Sequence, residues 1–456
     1  MHKKYFGFFI LFLVSFIFTN CKNTTQYNIQ SSTVVHPAWS KNVTIYEVNI
    51  RQYTEEGTFK AFQKQLPKIK KLGVQLIWLM PIHPIGEVNR KGKLGSYYSV
   101  KDYKAIATEY GNEKDFKNLV DAIHAQGMHV IIDWVANHTA WDHIWVKSHP
   151  EYYTKDSQGN FVPPVPDWSD VIDLNYDNME MRTEMLDALK YWVANFNIDG
   201  YRCDVAGEVP VDFWNRARNE LDKIKNVFML AEAEGPYLHQ HAFDMTYAWE
   251  LHHYINQVAQ GKNNANDFYN IFNKKRLEYG SDAYRMNFTS NHDENSWNGT
   301  VYERLGDAAE VMAVLTFTID GMPLIYSGQE AGLNKRLNFF DKDVIEWKHS
   351  KFFNLYQKLI KLKKDNTALW NGNFGSQLKR IKTSNSNDIF AFVREMNNDR
   401  IFVITNLSPK KQSIRLKDDN FNNSSYKDYF NGESISITNN ITFDLQPWEY
   451  KIFIAK

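Results

Sequence analysis

The sequence predicts an α/β fold, a parallel (β/α)8 TIM barrel of about 300 residues followed by a C-terminal antiparallel β-sandwich. Three observations carry this reading. From residue 43 onward, short apolar runs rich in β-branched and aromatic residues alternate with stretches of helical period. That alternation also fits an open doubly wound sheet, but charged residues gather just where the apolar runs stop, as they do at a barrel mouth. Beyond residue 367 the helical stretches give way to strand-length runs at 389–393, 401–407, 413–416 and 441–445, broken by Asn- and Ser-rich turns.

The N-terminus precedes this pattern. His2-Lys3-Lys4 is a basic opening to an apolar run over 5–18. A run of that length falls short of the roughly 20 residues that span a bilayer and suits a secretory signal. It ends in Phe18-Thr19-Asn20-Cys21, similar to a bacterial lipobox except that Phe18 and Asn20 replace its usual Leu and small residue. Residues 1–21 are therefore expected to direct export, with Cys21 acylated and the protein held on the periplasmic or outer face of the cell envelope. Ordinary cleavage leaving a free thiol is the alternative. Cys203 is the other cysteine, so no disulfide framework is expected. Residues 22–40 are polar and read as a tether, with the barrel over 41–365 and the β domain over 366–456.

Within the barrel the strand candidates are 43–48, 76–80, 130–134, 200–203, 227–230, 243–246, 285–289 and 323–326, with helical stretches such as 113–126 and 179–196 between them. Lys plus Arg and Asp plus Glu are 53 each, giving a formal net charge of zero. Nucleic acid is thereby excluded as an expected partner, since phosphate binding needs a basic excess or patch. The charges that matter lie at strand ends. Strand three runs into Asp133-Trp134-Val135-Ala136-Asn137-His138, and strand four carries Arg202-Cys203-Asp204. Strand five ends at Glu232, and strand seven at Asn291-His292-Asp293. Carboxylates converging on one mouth repel one another, which points to catalytic use. Arg202 and Asp204, two residues apart, share a strand face.

These segments resemble the four short sequence regions of the α-amylase superfamily, glycoside hydrolase family 13. They are DWVANH at 133–138, GYRCD at 200–204, MLAE at 229–232 and TSNHD at 289–293. The resemblance implies a retaining glycosidase of α-1,4-linked glucans. In it Asp204 is the nucleophile, Glu232 the acid/base and Asp293 a third carboxylate that holds sugar hydroxyls. It further implies that Arg202 keeps Asp204 ionised, that His138 and His292 bind hydroxyls of the sugar at the scissile bond, and that Tyr98 stacks on its ring. Tyr97 is the alternative to Tyr98, and Glu234 competes with Glu232. Asp133 and Asp199 read as buried carboxylates that order strand ends, and Glu294 as a rim residue.

The same resemblance makes the excursion over 139–175 a short domain B. Trp141, Trp145, Tyr152, Tyr153, Phe161 and Trp168 serve mainly as its small core. Asn137 and Asp173 stand where many family members bind calcium, but two ligands do not make a site of six to eight oxygens, so no metal is predicted and no cofactor is required. Three activities stay open: an internal α-1,4 hydrolase, an exo-α-glucosidase or 4-α-glucanotransferase on the same site, and an inactive glucan-binding protein. The intact carboxylates disfavour the last. The protein is expected to act as a monomer on starch-like glucans or maltooligosaccharides.

Overall fold

The computed structural model describes residues 32–418, 424–438 and 441–455, so the expected export leader and Cys21 lie outside the described residues. Eight parallel strands close into a barrel. The first three are β1 (Ile45–Val48), β2 (Leu76–Leu79) and β3 (His129–Trp134). A small antiparallel ribbon of β4 (His138–Ala140) and β5 (Val171–Asp173) interrupts them. The series resumes with β6 (Gly200–Cys203), β7 (Phe228–Ala231), β8 (Met245–Tyr247), β9 (Tyr284–Asn287) and β10 (Met322–Tyr326). Pairing of β10 with β1 completes the ring, and every strand the sequence predicts for it is present.

Local chemistry explains the elements. The helix Glu113–Ala125 starts where the Asn112 side chain accepts the Asp115 N–H. It buries Phe116, Leu119, Val120 and Ile123, one helical face. The helix Met179–Phe196 is capped by Asn178 and stops at Asn197, which takes the left-handed conformation at φ 60°. At the start of β6, Gly200 has φ 145°, and a Cβ there would lie 1.9 Å from the Phe228 carbonyl oxygen, so glycine alone lets β6 approach β7 this closely.

Period-2 alternation sorts the strand residues between two cores. Ile45, Leu76, Trp78, Ile131, Leu230 and Met286 fill the barrel interior. Tyr46, Ile77, Leu79, Val130 and Ile132 pack outward in the larger core with the helices. Glu47, Asp133 and Arg202 therefore share the inward face with Ile45, Ile131 and Gly200, and all three are buried.

The helix Lys351–Asp365 leads into the C-terminal strands. These are β11 (Lys379–Ile381), β12 (Ile389–Met396), β13 (Asp399–Asn406), β14 (Gln412–Arg415), β15 (Ser424–Asp428), β16 (Ser434–Ile437), β17 (Thr442–Leu445) and β18 (Tyr450–Ala455). Six form one sheet in the order β11-β12-β13-β18-β15-β16. The β14–β17 ribbon packs Ile414 and Leu445 with Phe402 and Phe453 of that sheet, giving two unequal layers.

One expectation is corrected. The end of the proposed tether, residues 32–40, is folded against the barrel. Ser32 Oγ donates to the His239 carbonyl at 2.7 Å, Trp39 stacks on His129, and Ser40 is buried. His36 is the anchor: its Nδ1 lies 2.7 Å from Asp244 Oδ1, and its ring stacks on Tyr284. The sequence misled because the partners that hold the segment, His129, His239 and Asp244, lie far along the chain.

Burial alone would lower the His36 pKa, but Asp244 and Asp282 outweigh it and raise it to about 9. The stabilisation is thus fully present below the ordinary histidine value of 6.5 and is lost as pH rises through about 9. We expect His36→Ala to cost about 2 kcal/mol at pH 6, as for a charge-assisted hydrogen bond. Urea titrations of both proteins should show the gap closing by pH 10.

Candidate active site

The site is built around Arg202, whose guanidinium is wholly buried among the rings of Trp78, Tyr98 and Tyr247. Its Nη1 donates to Asp133 Oδ1 and to Asp204 Oδ1, each at 2.9 Å. Its Nη2 lies 2.9 Å from Glu232 Oε2 but off the hydrogen-bonding direction. One cation therefore faces three carboxylates supplied by β3, the end of β6 and the end of β7.

Burial pushes all three carboxyls up, Glu232 to about 8 and Asp133 and Asp204 to about 6. Arg202 opposes the rise at each, and does so through hydrogen bonds at the two aspartates. At Glu232 the nearby charges of Asp204 and Asp293 add to it. The proton retained near neutral pH thus sits on Glu232, leaving Asp204 ionised against the guanidinium.

Residue 205 links the two carboxylates. Val205 has φ 35° and ψ 46°, a left-handed conformation costly for a β-branched side chain. Its N–H donates to Glu232 Oε2 at 2.8 Å. The strain is located at the turn that leaves the Asp204 strand.

His292 is held from both sides. Its Nδ1 bonds Glu47 Oε1, while Nε2 lies 2.7 Å from the Tyr98 hydroxyl and 3.3 Å from Asp293 Oδ2. Burial would lower its pKa, but Asp293 and Glu47 raise it to about 9, so the ring is an imidazolium. His138 is the opposite case, buried without a carboxylate and lowered to about 4, hence neutral. The two histidines of the site thus carry different charges.

The remaining predicted residues fall as follows. Tyr98 lines the cleft, its hydroxyl donating to Asp133 Oδ2 at 3.1 Å and its ring parallel to Phe339. Tyr97 is buried under the Arg51 guanidinium and away from the cleft. Glu234 is bound to Arg285 and to the Glu250 N–H, so it does not compete with Glu232. Asp199 orders the opposite end of the barrel through the Val130 N–H, His124 and Lys225. Glu294 is not a rim residue: it is buried 3.1 Å from His252, because the chain winds into a π-helical turn at Glu294–Asn298.

Of the excursion aromatics, Trp145, Tyr152 and Tyr153 are buried, Trp141 and Phe161 pack against the core, and Trp168 turns to the cleft beside His138. Asn137 directly precedes β4, and Asp173 is the last residue of β5, paired with His138. Among the described residues no group of three or more His, Cys, Asp and Glu is arranged to hold a metal.

Sequence reasoning missed Glu47, Val205, Trp297, Phe339 and Lys91. The lone carboxylate in the apolar run at 43–48 was a readable signal for Glu47. Together with the predicted residues, these enclose or support a cleft of about 560 Å3 that opens onto Asp204, Glu232 and Asp293.

Comparison with known proteins agrees with this geometry. The family profile described as alpha amylase, catalytic domain, matches residues 12–168 and 165–400, and the maltogenic amylase C-terminal domain matches 378–452. The crystal structure of a noncanonic maltogenic alpha-amylase from Thermotoga neapolitana superposes with a TM-score of 0.84 at 31% identity, covering 91% of this chain and 98% of that one. An alpha-amylase of Haloarcula japonica is 27% identical over 83% of this chain, which spans 57% of that relative's length. A 4-alpha-glucanotransferase of Thermotoga neapolitana is 27% identical over 63% of this chain and 71% of its own.

Glu47→Gln removes a charge while keeping the shape. We expect the His292 pKa in this variant to fall by about 1 unit or more, as expected on losing a close opposite charge. Side-chain 15N NMR of His292 against pH checks this; an unchanged titration would show that Asp293 alone holds the proton.

Proposed function

The chain belongs to the α-amylase family of glycoside hydrolases, and we propose that it is a retaining enzyme cleaving α-1,4-glucosidic bonds of starch-like glucans and maltooligosaccharides. The observation that carries this reading is that Asp204 and Glu232 each lie 2.9 Å from the Arg202 guanidinium in one cleft, Asp204 hydrogen-bonded to it and Glu232 not. Burial pushes the Glu232 carboxyl furthest up, which suits the division between acid and nucleophile that double displacement requires.

In the first step a carboxylate oxygen of Asp204 attacks the anomeric carbon while Glu232 gives its proton to the departing glycosidic oxygen. In the second, Glu232 takes a proton from water, and the hydroxide formed displaces Asp204. Positive charge builds on the ring in the transition state of each step, and the carboxylate of Asp293 and the partly bonded Asp204 oppose it. His138, His292 and Tyr98 line the cleft where that sugar sits, and Tyr98 offers its ring face.

A 4-α-glucanotransferase among the relatives supports a second reading on the same site, in which a sugar hydroxyl replaces water in the second step. We further propose, from the signal-like residues 1–21 alone, that the protein is exported and that Cys21 anchors it.

Proton NMR of fresh product from maltooligosaccharides should show the α-anomer first; β-anomer first rules out retention. Asp204→Asn is expected to abolish turnover. The kcat/KM profile should fall on the acid side as Asp204 gains a proton near about 6 and on the alkaline side as Glu232 loses its own near about 8. Glu232→Gln should lose roughly 10²–10⁴-fold in rate and with it the alkaline limb.

A further inference from the structure

Loops wall the cleft, and one lysine ties two of them together. Lys91, in the loop after β2, donates from Nζ to the Asp167 carbonyl at 2.6 Å and lies 3.1 Å from Asp170 Oδ1. Asp167 and Asp170 belong to the excursion before β5. Asp170 is buried, and its own carbonyl accepts the Ser99 hydroxyl at 2.9 Å, so this anchor is built into the fold.

On its other flank the Lys91 loop is locked to the loop after β10. The Leu94 N–H donates to the Phe340 carbonyl at 3.1 Å, and the Lys93 N–H to Asp341 Oδ1 at 3.2 Å. Gly92 has φ 63°, and a Cβ there would sit 2.5 Å from Phe340 Cβ. Phe340 in turn packs against the half-exposed Trp297, four residues past Asp293. The excursion, Lys91, Phe340 and Trp297 thus form a continuous collar, and all of them line the cleft that holds Asp204 and Glu232.

The chemistry fixes which end the collar closes. Glu232 protonates the leaving sugar, so its side takes the part of the glucan that departs. Tyr98, His138 and His292 surround Asp204 and hold the sugar that becomes covalently bound. The collar grows from the loop that carries Tyr98 and from the segment beyond His292. It therefore stands toward the non-reducing end of a bound glucan.

We propose that Lys91 is a specificity-determining residue that closes this end, so that the enzyme takes α-glucans by a non-reducing chain end instead of threading a long chain through. An ammonium carries three donors. One goes to the Asp167 carbonyl and the charge is paired with Asp170, and because Lys91 also lines the cleft, its remaining donor capacity is assigned to a terminal sugar hydroxyl. The inference rests on the roles given above to Asp204 and Glu232.

Two substrates test it: maltoheptaose, and maltoheptaose whose non-reducing glucose is blocked by a 4,6-O-ethylidene group. Initial rates are followed by product chromatography for the native protein, Lys91→Ala and Asp170→Ala, with thermal melts confirming that each variant is folded. The native enzyme is expected to favour the free end by about tenfold or more, and opening the collar from either side should cut that preference to about threefold or less. Equal native rates on both substrates overturn the proposal and leave the glycosidase reading intact. A preference unchanged in both variants removes Lys91 from it. No turnover of either substrate by the native enzyme overturns the glycosidase reading itself.

Discussion

A single guanidinium, that of Arg202, neutralises part of a charge cluster that a closed barrel could not otherwise hold. Asp133, Asp204 and Glu232 converge on it inside a ring of eight strands, where unpaired charges cost several kcal/mol each. Burial raises all three carboxyls, and it raises Glu232 furthest, where Arg202 is near but off the hydrogen-bonding direction and the charges of Asp204 and Asp293 add to the rise. Gly200 is what allows Arg202 to stand there, since a side chain at 200 would collide with β7.

Around this centre the fold supplies a second charge pair of opposite design. Glu47 comes from the first strand and His292 from the end of the seventh, 245 residues later, and they meet only because β10 closes the ring onto β1. The pair turns His292 into a cation next to the anions of Asp293 and Asp133, while His138, without a carboxylate, stays neutral. Val205, left-handed at the turn after Asp204, donates its N–H to Glu232 and so ties the two strand ends together.

Much of this was legible in the chain. Strand positions followed from apolar runs, and the inward face followed from period-2 alternation, which put Arg202 and Asp204 together before any coordinates. The motif order placed Asp204, Glu232 and Asp293 at strand ends, and the structure brings all three to one cleft with Tyr98, His138 and His292. Three readings failed or stayed open for one shared reason. Glu234 sits on the same face as Glu232 yet is drawn away by Arg285. Glu294 is buried by a π-helical turn that no local pattern announces. Residues 32–40, read as the end of a tether, are held on the barrel by distant partners such as Asp244, which meets His36.

The sequence by itself determined the strands, their inward faces and the residue types at the barrel mouth, because periodicity and strand ends are local properties. Only the tertiary structure decided which charges pair, that Glu47 serves His292, that Lys91 bridges two loops, and that Tyr98 rather than Tyr97 faces the cleft. Those outcomes depend on barrel closure and loop paths between residues far apart in the chain. A burial pattern shows that a carboxylate points inward, but its partner, and so its protonation state, is set by what the closed ring places opposite it.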